Sequence, residues 1–214
     1  MSNAKVRLSL KEQELVLNAD WILTKNAVIQ KLYTFFGQLS EQYQTLIQQS
    51  PALANEAACA VAPKISRGEN YEGLPWVMLD YPRFFSGNDV FAIRTFFWWG
   101  NQVSITVQLS GRFKTFYSNA IQQYFHLRNG NPHPTHEWYI GINAEDAWQH
   151  HFRPDNYQRA ADMNPALIPH LPYIKLAKKI PLDEWEDVDF FLQQTFKEIL
   201  QVLTNESLGS QAVK

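Results

Sequence analysis

The 214-residue chain has little of several features that mark common classes of protein. It contains one cysteine, which excludes an internal disulfide framework and a cysteine-based zinc cluster. Its 19 basic and 21 acidic residues nearly cancel, and this balance argues against a dedicated nucleic-acid binder. No stretch approaches the roughly 20 apolar residues of a membrane span or forms a secretory signal. We therefore expect a soluble, cytoplasmic protein with no nucleic-acid or membrane partner.

Only nine glycines are present, and their spacing forms no phosphate-binding loop. No two are separated by a single residue, which excludes the dinucleotide-binding fingerprint. Gly68 and Gly73 have the separation found in a P-loop, but Leu74 and Pro75 replace the required Lys and Ser or Thr. There is no Gly-x-Ser-x-Gly elbow, and Cys59 lies among alanines without a nearby cation to activate it. We therefore predict no cofactor and interpret the cysteine as a structural thiol.

Aromatic residues, in contrast, are abundant: 14 Phe, 9 Tyr and 7 Trp. Many of them recur at helical spacing, which predicts amphipathic helices over 25–48, over 112–129 and from Asp183 towards the C-terminus. Thr24 is the candidate N-cap of the first of these helices, and Ser9 with Glu12 predicts a capping box that opens a shorter helix before it. The polar segment 205–214 is predicted to be a flexible tail, so that residues 1–204 form one domain.

The clearest strand signal runs from Val90 to Leu109. Gly100-Asn101 between runs of β-branched and aromatic residues predicts a β-hairpin with a two-residue turn. In that register Arg94 shares the core face with Phe96 and Trp98. The opposite face would then combine aromatic with neutral polar side chains: Phe91, Ile93, Phe97, Trp99, Gln102, Ser104, Thr106 and Gln108.

The remaining segments complete an α+β prediction. Strands are expected over 76–81 and 138–142, a short helix over 51–62, and a helix after the cap Asn143. We interpret 64–75 as a polar loop and the proline-rich segment 165–181 as a connection. The predicted fold is therefore a single α+β domain in which an antiparallel sheet, centred on the hairpin, packs against several amphipathic helices.

Two segments, Leu74–Pro82 (LPWVMLDYP) and Phe96–Asn101 (FFWWGN), resemble uncharacterised bacterial single-domain proteins. A fainter similarity is to the YktB-like group, whose central strands are also rich in Trp and Phe. The resemblance covers less than a quarter of the chain and contains no catalytic motif. It implies an α+β fold and no particular activity.

The leading functional hypothesis is a binding site for a small ligand. Aromatic Phe97 and Trp99 near the hydroxyl of Thr106 suit an aromatic-lined pocket with a few polar groups. Arg94 on an apolar face must either pair with a carboxylate, for which Asp80 and Glu137 are candidates, or bind an anion. The charged segment from Arg67 to Arg83, which includes Asp80, could supply further polar contacts, although it could equally be a solvated loop.

Two alternatives come from other functional classes. The histidine clustering permits a metal-dependent hydrolase whose ion would be held by His133, His136, Glu137 and either His150 or His151. Against this, Pro134 excludes a regular helix between the first two histidines. The second alternative is a homodimer or partner-interaction module, because 30 aromatic residues can exceed what one core covers.

Overall fold

The computed structural model describes residues 6–128 and 136–204, and its centre is a seven-stranded antiparallel sheet. The strands are β1 (Lys64–Tyr71), β2 (Leu74–Ser86), β3 (Asp89–Trp98), β4 (Gln102–Ser110), β5 (Tyr139–Gly141), β6 (Tyr157–Arg159) and β7 (Ile174–Pro181). Their spatial order is β1-β2-β3-β4-β7-β5-β6. The helices are α1 (Leu10–Leu17), α2 (Ala19–Gln48), α3 (Pro51–Ala54), α4 (Gly111–Arg128) and α5 (Val188–Thr204). The predicted α+β class is confirmed.

The long helices α2, α4 and α5 cover one face of the sheet and bury the main core with it. At the centre of this core, Tyr43 of α2 stacks on Phe196 of α5 with ring centroids 3.7 Å apart. The Tyr43 hydroxyl lies 3.3 Å from the hydroxyl of Thr95 on β3, which satisfies both buried polar groups. None of the helices in residues 6–128 and 136–204 is long and apolar enough to cross a membrane.

The two N-terminal helices form as predicted, except that the second one begins earlier in the chain. The capping box that opens α1 is confirmed: Ser9 N donates to Glu12 Oε2 at 2.6 Å, and Glu12 N donates to Ser9 Oγ at 3.3 Å. The predicted start of the following helix is wrong, because α2 begins at Ala19. Its N-cap is Asn18 rather than Thr24, and Asn18 Oδ1 accepts a hydrogen bond from Trp21 N at 3.3 Å.

Several segments interpreted as irregular are strands. The expected loop over 64–75 is mostly β1 and the start of β2, joined by a turn in which Glu72 and Gly73 have φ of 52° and 82°. β1 is an edge strand with one partner, so it tolerates the polar side chains that suggested a loop. The expected connection 165–181 contains β7, a central strand of the sheet.

Helix boundaries differ from the prediction in three further places. The segment after Asn143 is a series of turns, although Asn143 Oδ1 does accept hydrogen bonds from the backbone of Glu145 and Asp146. α3 ends at Ala54, well before the expected residue 62. A 3-10 segment, Leu182–Asp187, precedes α5, which therefore begins after the expected cap at Asp183.

The predicted hairpin of β3 and β4 exists, but its predicted register is wrong by one residue. Trp98 pairs with Gln102, so the loop contains three residues, Trp99 to Asn101, rather than two. The backbone N–H of Trp99 donates to the carbonyl of Pro75 on β2 at 3.0 Å, which holds this residue to the other neighbouring strand. A slip of one residue moves every side chain of a strand to the opposite face of the sheet.

The corrected register changes which residues of β3 face the helices. Phe91, Ile93, Thr95 and Phe97 share the helix-covered face with the apolar residues of β4. The other face, here called the second face, carries the mixed set Ala92, Arg94, Phe96, Trp98, Gln102, Ser104, Thr106 and Gln108. Part of this second face is covered by the irregular segment 142–156, from which His150 stacks on Phe96.

Candidate functional site

A groove of about 840 Å³ opens between α2, the loop that joins β3 to β4, and the segment 182–189. Its volume lies within the roughly 300–1,000 Å³ that small-molecule sites occupy. Eight of its lining residues are apolar or aromatic and come from all three elements: Val28, Leu32, Phe35, Phe97, Trp99, Leu182, Trp185 and Val188. The groove thus combines a suitable size with a predominantly apolar lining.

Phe97 forms the floor of this groove and contacts Trp99 and Trp185, which form two of its walls. Its side chain is 4% exposed, and its ring makes edge-to-face contacts with Trp99 and Trp185, each at a centroid distance of 6.2 Å. Trp99 is held by its backbone hydrogen bond to Pro75, whereas Trp185 lies on the 3-10 segment and is 42% exposed. The two indoles therefore frame an aromatic surface that is open to solvent on the side of Trp185.

The rim of the groove carries charge of both signs. Lys31 projects from α2, while Glu186 and Asp189 lie on the opposite side, and all three are exposed. The rim therefore has one more acidic than basic group. An apolar cleft with a few charged groups at its edge can hold a ligand by its apolar body and orient it by its polar end.

Arg94 does not belong to the groove, because it lies on the second face of the sheet, opposite the face that carries Phe97. Its Nε donates to Asp80 Oδ1 at 2.7 Å and its Nη2 donates to Asp80 Oδ2 at 3.1 Å. The expected ion pair with Asp80 is thereby confirmed. Thr106 pairs with Arg94 across β3 and β4 and is buried, so it too lies away from Phe97 and Trp99.

The second face also holds a buried lysine that sequence reasoning did not single out. Lys175 of β7 is 1% exposed, and within the described residues no carboxylate oxygen lies within 4 Å of its Nζ. The ammonium donates to the carbonyl of Gln149, lies 3.4 Å from Asn156 Oδ1, and sits 4.6 Å from the centroid of the Tyr157 ring. Burial lowers the pKa of Lys175 to about 7. This cluster tethers the irregular segment to the sheet.

The candidate metal ligands are held by separate protein partners. His136 packs against Phe191 of α5, and Glu137 forms an ion pair with Arg159 at 2.7 Å. His150 stacks on Phe96, and burial, followed by the charge of Arg94, lowers its pKa well below its ordinary value.

His133 lies outside the described residues. His151 is buried, and within the part of the chain that the structure describes its Nδ1 has no hydrogen-bond partner. Across residues 6–128 and 136–204, no three His, Cys, Asp or Glu side chains form a group that could hold a metal ion.

The two remaining candidate residues bind other parts of the protein. The Arg67 guanidinium lies 5.6 Å from the centroid of the Tyr33 ring on α2, and Arg83 Nε donates to the carbonyl of Ala62 at 2.9 Å. Burial raises the pKa of the Cys59 thiol to about 12, so the thiol stays protonated at neutral pH, as a structural role requires. Of the predicted ligand-binding residues, Phe97 and Trp99 are the two that the groove brings together.

Sequence reasoning missed the α2 side of the groove and its acidic rim. Val28, Leu32 and Phe35 recur at helical spacing within the predicted helix 25–48, which indicates core positions, whereas in the structure they line the groove. Trp185 offered one usable signal, since it is a large aromatic residue inside the acidic run 183–187. Water solvates an indole less favourably than the neighbouring carboxylates. A tryptophan in an acidic run therefore indicates an aromatic surface that is bordered by acidic side chains.

Comparison of the chain with protein-family models, with curated proteins and with solved structures gives no match. The resemblance to bacterial single-domain proteins and to the YktB-like group therefore stays a prediction. The groove and the second face are therefore the features of the molecule that bear on its function.

Proposed function

We propose that this protein binds a small molecule whose apolar, ring-containing body fills the groove above Phe97. The observation that carries the proposal is the aromatic frame of Phe97, Trp99 and Trp185 around a space of about 840 Å³. Aromatic side chains bury large areas and prefer edge or offset contacts with another ring, which this frame leaves available.

The charges at the rim suggest the polar end of the ligand. Glu186 and Asp189 face the groove from one side and Lys31 from the other, so the rim favours a neutral or positively charged group. A cation beside Trp185 would also gain from the electron-rich face of the indole. The expectation of an anionic ligand depended on Arg94, which is paired with Asp80 on the second face and does not bear on this groove.

Isothermal titration calorimetry with two probes of similar size tests this function. The probes are 2-naphthylmethylammonium and 2-naphthoate, which share a ring system and carry opposite charges. We expect the ammonium probe to bind more tightly than the carboxylate. The substitution Trp185→Ala should weaken its binding about tenfold, since one well-packed aromatic contact contributes about 1.4 kcal/mol.

Trp148→Ala is the matched control, because Trp148 is 41% exposed, close to the 42% of Trp185, but lies over Arg94 on the second face. Neither tryptophan is buried, so both variants should fold. Binding of the ammonium probe that is unchanged in Trp185→Ala, or reduced equally in both variants, would refute the assignment of the groove.

A metal-dependent hydrolase finds no support in the described residues, because His136, Glu137 and His150 each contact a different part of the protein. Removal of metal ions from the purified protein with a chelator should therefore leave probe binding unchanged.

A further inference from the structure

The first eighteen described residues, 6–23, here called the N-terminal arm, expose an unusual amount of apolar surface. Of the sixteen large hydrophobic residues that are exposed in the described part of the chain, nine lie in this arm. They are Val6, Leu8, Leu10, Leu15, Val16, Leu17, Trp21, Ile22 and Leu23. Isolated exposed apolar residues are ordinary, but a concentration of this kind marks an interaction surface.

Most of the arm is helical, since it contains α1 and the first five residues of α2. A complete capping box closes the start of α1, and Asn18 ends α1 and caps α2. Nevertheless, no residue of α1 is buried. A helix of eight residues is marginal in water by itself, and one with apolar residues on several sides belongs against a partner.

The order of charges along the arm indicates what that partner is. The basic residues Arg7 and Lys11 come first, and the acidic residues Glu12, Glu14 and Asp20 follow. When two copies of the arm lie antiparallel, the basic end of each faces the acidic end of the other. A parallel arrangement would place like charges together. A surface for anionic lipid would instead carry an excess of basic residues on its polar side.

The exposed area also fits a second copy. At their observed exposures the nine residues present on the order of 1,000 Å² in total, compared with about 800 Å² that each partner buries in a standard interface. A twofold axis uses the same patch on both subunits, so one self-complementary arm suffices to form a closed dimer.

We infer that the N-terminal arm is the interface of a homodimer, in which the arms of two chains pack antiparallel through their apolar residues. This surface consists of residues that do not line the groove above Phe97. The inference therefore does not depend on the proposed ligand.

Sedimentation equilibrium of the full chain tests the dimer. We expect a species of twice 24.9 kDa at micromolar concentration, and Leu17→Glu should raise the dimer dissociation constant at least 100-fold. Leu127→Glu is the matched control: it also replaces a helical leucine, 79% exposed against 83% for Leu17, but lies outside the arm. It should leave the dimer unchanged, and far-ultraviolet circular dichroism should show that both variants fold.

Salt distinguishes the two orientations of the arms. In the antiparallel dimer opposite charges attract across the interface, so raising NaCl from 50 to 500 mM should increase the dissociation constant. A decrease would indicate like charges in contact and overturn the antiparallel arrangement. A monomer up to 100 µM, or a dimer that survives Leu17→Glu, would overturn the inference. A monomer that floats with phosphatidylserine vesicles through the arm would overturn it in favour of a membrane surface.

Discussion

Arg94 and Asp80 face each other across β3 and β2, and the guanidinium donates one hydrogen bond to each oxygen of the carboxylate. Both side chains are almost fully covered, with 12% and 7% of their surfaces exposed. Trp148 of the irregular segment lies over the guanidinium at 5.3 Å from its ring centroid. The pair is therefore a structural unit that connects two central strands to the segment above the second face.

Removal of one member of this pair should be more harmful than removal of both. Asp80→Asn leaves the guanidinium without its counter-charge, and we expect a loss of about 3 kcal/mol in the free energy of unfolding. The double variant Asp80→Leu with Arg94→Met should recover most of this loss, because two apolar side chains need no counter-charge. Urea denaturation of the single and double variants measures the difference.

The exposed ion pair of Glu72 with Arg153 is the control for this comparison. Glu72→Gln should change the free energy of unfolding by less than about 1 kcal/mol, since the pair is open to solvent. Equal effects of Asp80→Asn and Glu72→Gln would contradict the structural role of Arg94.

Lys175 makes stability depend on pH in the alkaline range. Its pKa is about 7 in the folded protein and 10.5 in the unfolded chain, so between these values the unfolded chain binds the additional proton. Stability should therefore rise with pH, by about 2 kcal/mol between pH 7 and 8.5. Lys175→Met should abolish this rise. Urea denaturation should be measured below pH 9. Above pH 9 the Cys59 thiol ionises in the unfolded chain but stays protonated in the folded protein, which lowers the free energy of unfolding.

A rise of the same size in Lys175→Met as in the natural protein would show that another group is responsible. His150 does not contribute to the rise between pH 7 and 8.5, because its lowered pKa changes stability at pH values below about 6.5. Its contribution to stability is present above pH 6.5 and is lost as the pH falls from 6.5 towards its folded pKa.

Gly141 gives the stem of Lys175 the space that it needs. A Cβ at position 141 would lie 2.8 Å from the Cβ of Lys175 and 2.9 Å from its Cδ. We expect Gly141→Ala to lower the thermal stability, with a cost of about 1–3 kcal/mol from overpacking. In contrast, Gly37→Ala places its methyl group in open space on α2 and should stabilise the helix by about 0.5–1 kcal/mol. A destabilised Gly37→Ala, or an unaffected Gly141→Ala, would contradict this packing.

The sequence predicted the class of fold because its helical periodicities and its central hairpin are strong local signals. It failed at the hairpin register, which depends on a contact that is distant in sequence, the hydrogen bond from Trp99 to Pro75. It failed at β7 because a strand containing Lys175, Lys178 and Lys179 does not look like a buried one. Lys178 is accommodated by its ion pair with Glu198 at 2.6 Å, and such compensation is visible only in three dimensions.

The candidate site was predicted only in part for the same reason. Phe97 and Trp99 are predicted as aromatic walls, but the error in register placed Thr106 beside them, whereas Thr106 lies on the other face with Arg94. The opposite wall comes from Trp185, which is far away along the chain. Sequence patterns identify residues that are suited to burial or to binding, whereas tertiary contacts determine which of these residues lie next to one another.

Two-dimensional ¹H–¹⁵N spectra of the seven tryptophan indoles test the ligand site most directly. During titration with 2-naphthylmethylammonium, the indole signals of Trp99 and Trp185 should shift in a saturable manner with a common dissociation constant. Those of Trp148 and Trp76 should stay in place, because neither residue lines the groove. Stationary signals from Trp99 and Trp185, or equal shifts of all seven indoles, would contradict the proposed binding of a small molecule above Phe97.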